Sequence, residues 1–252
     1  MVHIVGAGPG DPELITVKGA KYLKEADVVI YAGSLVNPKL LAYCREDAQI
    51  HNSASMTLDE VVRTIEQAEK EGKMTVRLHT GDPSVYGAIQ EQMDAFRKKQ
   101  IAFDIVPGVS SCFATAAALQ QEYTLPGISQ TVIITRNEGR TPVPDKEKLR
   151  SLAQHQSTMC IYLSITMLDK VVEELMAGGY PQDTPIAIVQ RASWPEQKIV
   201  RGTLQTIVQD IEGKDIDRTA MIVVSHCLGA DYDLSRLYAP EFSHMFRKAV
   251  TE

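Results

Sequence analysis

The chain has 252 residues, 44% hydrophobic and 23% charged, which supports one large or two modest globular domains and excludes disordered, collagen-like and coiled-coil classes. Its 26 basic and 32 acidic residues leave a net charge of −6, which argues against a surface built for nucleic-acid backbones or acidic membranes. The cysteines, Cys44, Cys112, Cys160 and Cys227, form neither a CxxC pair nor a small disulfide framework, so a reduced, cytoplasmic protein is expected.

Met1-Val-His-Ile-Val leads straight into glycines, without the cationic and apolar regions of an export signal. The longest apolar runs are of strand length, far short of the roughly 20 residues of a membrane helix. Val/Ile-rich runs at residues 2–5, 27–32, 48–51, 74–79 and 102–106 alternate with stretches of helical period. That alternation predicts βα units around a parallel sheet covered on both faces. Between the third and fourth runs, Thr57-Leu-Asp-Glu60 reads as a capping box. Leu58, Val61, Val62, Ile65 and Ala68 form one apolar face, and Gly72 is a stop.

Open sheets of this kind bind ligands beyond the carboxyl ends of their strands. The loops there are Gly6-Ala-Gly8-Pro-Gly10-Asp11-Pro12, Thr80-Gly81-Asp82-Pro83-Ser84-Val85-Tyr86-Gly87 and Pro107-Gly108-Val109-Ser110-Ser111. The first departs from the dinucleotide fingerprint, because Asp11 stands where the third glycine belongs and no Gly-Lys-Ser/Thr follows for a phosphate loop. Tight turns alone would account for a single such loop. Three at one sheet edge point to a ligand that approaches backbone, with Asp82, Ser110 and Ser111 available to hydroxyls or amines.

After Pro126-Gly127 the pattern becomes mixed. Strands are predicted at 130–135, 159–163, 185–190, 198–201 and 220–225, and helices near 145–153, 167–177 and 204–211. The runs at 186–190 and 198–201 read as an antiparallel hairpin, so this sheet is expected to be mixed. The helix predicted at 110–119 bridges two domains, placed at 1–117 and 118–252. Arg136 and Arg140 lie in a Pro/Gly-shaped loop after a strand, and Arg77 and His79 end the fourth strand. For any one of these the ordinary alternative is a solvated or salt-bridged side chain. No histidine or cysteine has metal-ligand spacing, no GxSxG elbow exists, and no catalytic residue is singled out.

The segment Val5-Gly-Ala-Gly-Pro-Gly-Asp-Pro-Glu-Leu-Ile-Thr-Val-Lys-Gly-Ala20, with Gly81-Asp82-Pro83 and Pro107-Gly108-Val109-Ser110, resembles the tetrapyrrole methylases. The resemblance spans nearly the whole chain. It implies two α/β domains, an N-terminal parallel sheet and a C-terminal mixed sheet, with the cofactor cleft between them. It also implies a homodimer and S-adenosylmethionine as cofactor, leaving as S-adenosylhomocysteine. Carried over by position, the cofactor residues are Pro9, Thr80, Gly81, Asp82, Val85, Ser110, Ser111, Leu163, Ala192, Ala220 and Met221. Leu163 stands where relatives often carry methionine, a change that a backbone contact would survive.

Within the family, Tyr31-Ala-Gly-Ser-Leu-Val36 and Thr135-Arg-Asn-Glu-Gly-Arg-Thr-Pro-Val-Pro144 are similar to the branch that methylates carbon 11 of precorrin-4, with or without cobalt, in cobalamin biosynthesis. This implies a tetrapyrrole substrate met by Arg136, Glu138 and Arg140, with the loop 135–144 closing over the macrocycle. Members that methylate uroporphyrinogen typically read Tyr-Asp-x-Leu at the second strand's end. Here the aspartate's place is Ala32, which cannot move a proton, and a later substrate is favoured. Two alternatives remain: a methylase of the same fold acting on another precorrin, ribosomal RNA or a modified histidine, and a non-catalytic adenosylmethionine-binding module. The net charge of −6 counts against RNA.

Overall fold

The computed structural model describes residues 1–229, 231–235, 237 and 239–249. It divides into two compact units, residues Met1–Ala118 with Arg191–Lys198, and Leu119–Gln190 with Ile199–Glu252. The division is therefore not contiguous in sequence: the segment Arg191–Lys198, expected in the second domain, packs with the first unit.

In the first unit the chain runs β1 (Val2–Gly6), α1 (Val17–Glu25), β2 (Val28–Tyr31), β3 (Gln49–Asn52), α2 (Leu58–Lys70), β4 (Thr75–His79), α3 (Gln90–Lys98), β5 (Phe103–Val106) and α4 (Ser111–Leu119). The strands order β3-β2-β4-β1-β5 and all pairs are parallel. Because successive side chains alternate across a strand, each sheet face receives its own core. Val2, Ile4, Val28 and Ile30 pack with Val62, Ile65 and Phe96 on one face, while Val5, Val29, Val76 and Leu78 pack with Leu23 and Leu40 on the other. The capping box of α2 forms as read, with Thr57 Oγ1 accepting from Glu60 N and the Glu60 carboxylate accepting from Thr57 N. Gly72 follows at φ 68°. The resulting helix buries Val61, Val62, Ile65 and Ala68.

The second unit holds β6 (Val132–Arg136), α5 (Leu149–Ala153), β7 (Thr158–Tyr162), α6 (Leu168–Ala177), β8 (Pro185–Gln190), β9 (Lys198–Thr203), α7 (Ile207–Asp210) and β10 (Ala220–Val224). Its sheet orders β6-β7-β10-β8-β9, with β6 parallel to β7 and β10 antiparallel to both β7 and β8. The sheet is mixed, as expected. Two helices are shorter than their sequence patterns. Residues 145–153 split into a 3-10 turn at Asp145–Glu147 and α5, because Lys148 between them is extended at ψ 143°. The pattern at 204–211 condenses to α7, since Thr206 Oγ1 bonds both Thr203 N and the Asp210 carboxylate and so closes a turn before the helix.

Candidate functional site

The parallel register brings the carboxyl ends of the first unit's strands to one edge, with Gly6 beside His79, Val5 beside Val106 and Tyr31 beside Leu78. The loops leaving that edge are joined through backbone. Gly81 N donates to Gly8 O at 2.8 Å, Gly8 N to Gly81 O at 3.3 Å and Ala7 N to His79 O at 2.7 Å. A Cβ on Gly6 would lie 2.6 Å from Gly108 Cα, and one on Gly108 would fall on the Gly81 carbonyl oxygen. Glycine at 6 and 108 is thus demanded by contact between main chains.

Asp82 is the side chain that ties two of these loops together. Its Oδ1 accepts from Ser84 N and Oγ at 2.8 and 2.5 Å, and its Oδ2 accepts from Gly108 N at 2.9 Å. Burial pushes the Asp82 carboxyl up, but the bonds from Ser84 and Gly108 together outweigh it and hold the group below its ordinary value. The carboxylate expected to reach for a ligand therefore braces two loops against each other. Thr80, Gly81, Asp82 and Val85 follow β4, and Ser110 and Ser111 follow β5, all at this edge.

The stretch 9–11 is held peptide by peptide. The buried Asn37 donates from Nδ2 to Gly10 O at 2.7 Å, Trp194 donates from Nε1 to Pro9 O at 3.0 Å, and Ser193 Oγ accepts from Asp11 N at 3.0 Å. A Cβ on Gly10 would overlap the Trp194 indole. The turn that delivers Trp194 has Arg191 and Ser193 at φ 49° and 71°, encloses the buried Ala192, and places the Arg191 guanidinium 5.7 Å from the indole centroid. None of these partnerships was read from the sequence. The only signal was the chain's single tryptophan, set in a connection between two strands.

In the second unit β10 runs against its neighbours, so its start lies beside the ends of β7 and β8: Ile222 pairs with Ile161 and Ala220 with Gln190. Leu163, Ala220 and Met221 consequently share one sheet edge. Leu163 is 65% exposed and sits at φ 53°, an unfavourable pairing of conformation and solvation for a leucine. Arg136 pairs in register with Tyr162, which brings Asn137 to the same edge. Ser164 Oγ accepts from Asn137 N at 2.8 Å and donates to Tyr162 O at 2.7 Å. Asn137, between two residues that drew attention for their charge, carried no sequence signal of its own.

Two expectations change. Arg136 donates to the carbonyls of Asn137, Thr141 and Pro142 at 3.3, 3.1 and 2.8 Å, so its guanidinium shapes its own loop, while Arg140 is exposed and Glu138 half-buried. Arg77 and His79, at the end of β4, are neither solvated nor, among the described residues, salt-bridged. Val76 and Leu78 face one core, so Arg77 and His79 point to the opposite face, where each is only 6% exposed. Arg77 donates to Gln92 Oε1 at 3.0 Å and Ile30 O at 3.2 Å, and burial lowers it to about 10. Burial, with the Arg77 charge added, lowers His79 to about 3 and keeps the ring neutral. Among the described residues no group of three or more metal-ligating side chains occurs. Nor is any described helix long and apolar enough to cross a membrane.

Residues 1–208 match the family model described as "Tetrapyrrole (Corrin/Porphyrin) Methylases". A cobalt-precorrin-4 C(11)-methyltransferase of Methanocaldococcus jannaschii is 57% identical over 249 residues, 98% of this chain and 96% of the relative. The crystal structure of a cobalt precorrin-4 methyltransferase superposes with a TM-score of 0.89 at 48% identity, covering 91% of this chain and 96% of that one. That of a Thermus thermophilus uroporphyrin-III C-methyltransferase, complexed with S-adenosylhomocysteine, superposes at 0.76 with 27% identity, covering 90% and 93%.

Proposed function

The chain belongs to the tetrapyrrole methylases, and from that membership we propose that it transfers a methyl group from S-adenosylmethionine to carbon 11 of precorrin-4 or its cobalt complex, in cobalamin biosynthesis. The observation that carries this reading is the near-full-length kinship to a relative named for that reaction. The assigned residues suit such a cofactor, because the loops that carry Gly81 and Ser110 are shaped in advance by their own hydrogen bonds. We assign to cofactor binding Pro9, Thr80, Gly81, Asp82, Val85, Ser110, Ser111, Leu163, Ala192, Ala220 and Met221. Asp82 acts there through the loop it braces, and Arg140 and Glu138 meet the macrocycle on the loop that Arg136 shapes. The protein works in the cytoplasm as a homodimer.

The bound cofactor supplies an electrophilic methyl group on a sulfonium, and a nucleophilic ring carbon of the substrate receives it. The chain's part is to hold the two reactants at near-attack distance and away from water, which is where such a transfer gains most. The loops around Pro9 and Gly81 suit this task, because their hydrogen bonds are made before a ligand arrives and little order must be imposed on binding. At the end of β2, Ala32 presents a methyl group, so no proton transfer is available from that position.

The test is methyl incorporation into precorrin-4, cobalt-precorrin-4 and uroporphyrinogen III side by side, with S-adenosylhomocysteine affinity measured by calorimetry. Turnover of either precorrin-4 form well above that of uroporphyrinogen is expected. Comparable turnover of uroporphyrinogen would overturn the assignment to carbon 11, and binding of NAD with no response to the adenosyl ligand would overturn the cofactor.

A further inference from the structure

We propose that Asn137 is a ligand-binding residue of this site, donating a hydrogen bond from Nδ2 to a carboxylate oxygen of a bound reactant. The inference rests on the methyl-transfer reading above and adds a contact to it.

Asn137 is only 4% exposed, and its Nδ2 is a buried donor with no hydrogen-bond partner. Burying an amide donor without an acceptor is costly, and native chains seldom leave one so without a reason. Asn137 is tied at its main chain. Its backbone N–H is held by Ser164 Oγ, which is itself anchored on Tyr162 O within a fully buried residue. The residue is therefore held at the carboxyl end of β6, beside its parallel neighbour β7.

A second observation points to a ligand at this edge. Leu163, adjacent to Ser164, combines a left-handed backbone at φ 53° with 65% exposure. Strain of that kind gathers where a chain is shaped for something other than its own stability. The charge pattern selects the acceptor. Arg136 spends its donors on loop carbonyls, whereas Arg140, three residues past Asn137, is exposed. A neutral donor with an exposed cation three residues on along the same loop suits an anionic oxygen. Both reactants carry one: the amino-acid end of the cofactor and the carboxylate edge of the macrocycle.

Asn137→Ala and the near-isosteric Asn137→Asp test the assignment, each assayed for S-adenosylhomocysteine affinity, for KM of precorrin-4 and for thermal midpoint. With alanine, one of the two ligands should weaken by about ten- to a hundredfold, and aspartate should weaken the same ligand further by repulsion. The thermal midpoint of the alanine variant should not fall, because the free protein has no Nδ2 bond to lose and is relieved of an unpaired buried donor. Loss confined to S-adenosylhomocysteine identifies the cofactor's carboxylate, and loss confined to KM identifies the macrocycle's. Unchanged values for both ligands, or a large fall in thermal midpoint without either loss, overturn the proposal and make the amide structural. A wild-type chain that neither binds S-adenosylhomocysteine nor methylates precorrin-4 removes the underlying reading and this contact with it. A competent wild type with indifferent variants removes the contact alone.

Discussion

The loop edges of the two sheets are built on opposite terms. In the first unit, main-chain groups at residues 7–11, 81 and 108 are met by other main-chain groups or by Asn37, Asp82, Ser193 and Trp194. Its glycines pack so closely that Gly6 and Gly108 have no room for a Cβ. In the second unit, the edge keeps an unpartnered buried amide at Asn137 and an exposed leucine in a left-handed conformation at 163. One edge has its main chain secured by its own bonds, although His79 Nε2 beneath it is also buried without a partner and Tyr86 in its second loop is exposed at φ 55°. The other holds side chains in states that a folded chain by itself does not favour. The contrast teaches that a loop edge can be shaped either by satisfying backbone in advance or by leaving side chains unsatisfied, and that the two should respond to mutation with opposite signs.

The sharpest way to break the contrast is Gly108→Ala. Its Cβ would land on the Gly81 carbonyl oxygen and 2.8 Å from Gly6 Cα, and no rotamer change relieves main chain against main chain. A loss above about 3 kcal/mol is expected, a fall of roughly 6–12 °C in thermal midpoint for a chain of this size. A midpoint within two degrees of wild type would mean that the first edge yields.

The next effect comes from acid, beneath the same edge. The unfolded His79 imidazole takes up a proton near pH 6.5, whereas the folded one resists to about 3. As pH falls through that window the unfolded chain gains protons that the folded chain refuses, so stability declines by at most about 1.4 kcal/mol per pH unit from this residue. Denaturant titrations at pH 7, 6, 5 and 4 should show the decline, and His79→Gln should flatten it. An unaltered slope in the variant would assign the acid sensitivity elsewhere.

Trp194→Phe keeps most of the ring that covers Gly10 but drops the donor to Pro9 O. About 1 kcal/mol of stability should go, with a few-fold weaker S-adenosylhomocysteine binding, read by calorimetry. Unchanged affinity would show that the first edge does not depend on this clasp.

The smallest effect should have the opposite sign. Leu163→Gly removes left-handed strain of about 1–2 kcal/mol but frees the unfolded chain, leaving a net gain from a few tenths to about 1 kcal/mol, measurable in denaturant. A destabilised glycine variant would place the second edge on the same terms as the first.

Local chemistry made much of this molecule legible before its fold was known. Thr57 and Glu60 stand three residues apart, the Val/Ile runs announced strands buried on both faces, and the Gly/Pro loops lie at the carboxyl ends of the predicted strands. The mixed second sheet was expected from a short connection between two strand-like runs, and the antiparallel pairs that make it so are those of β10 with β7 and β8. What stayed hidden depended on distant partners. Asp82 is a candidate ligand group by residue type, and only the approach of Gly108 N, 26 residues on, turns it into a brace. Arg77 reads as a candidate charge at a strand's end until alternation along β4 places it against Gln92 and Ile30 O.

The sequence by itself determined the element types, the chain's family and the edge at which a ligand would be sought, because periodicity, capping and turn chemistry act over a few residues and are written in them. Only the tertiary structure decided which polar groups are spent and which remain. Trp194 reaches Pro9 across 185 positions, and Asn137 is left with a donor to spare. Hydrogen-bond satisfaction is a property of neighbours in space, and the order of residues along a chain does not record it.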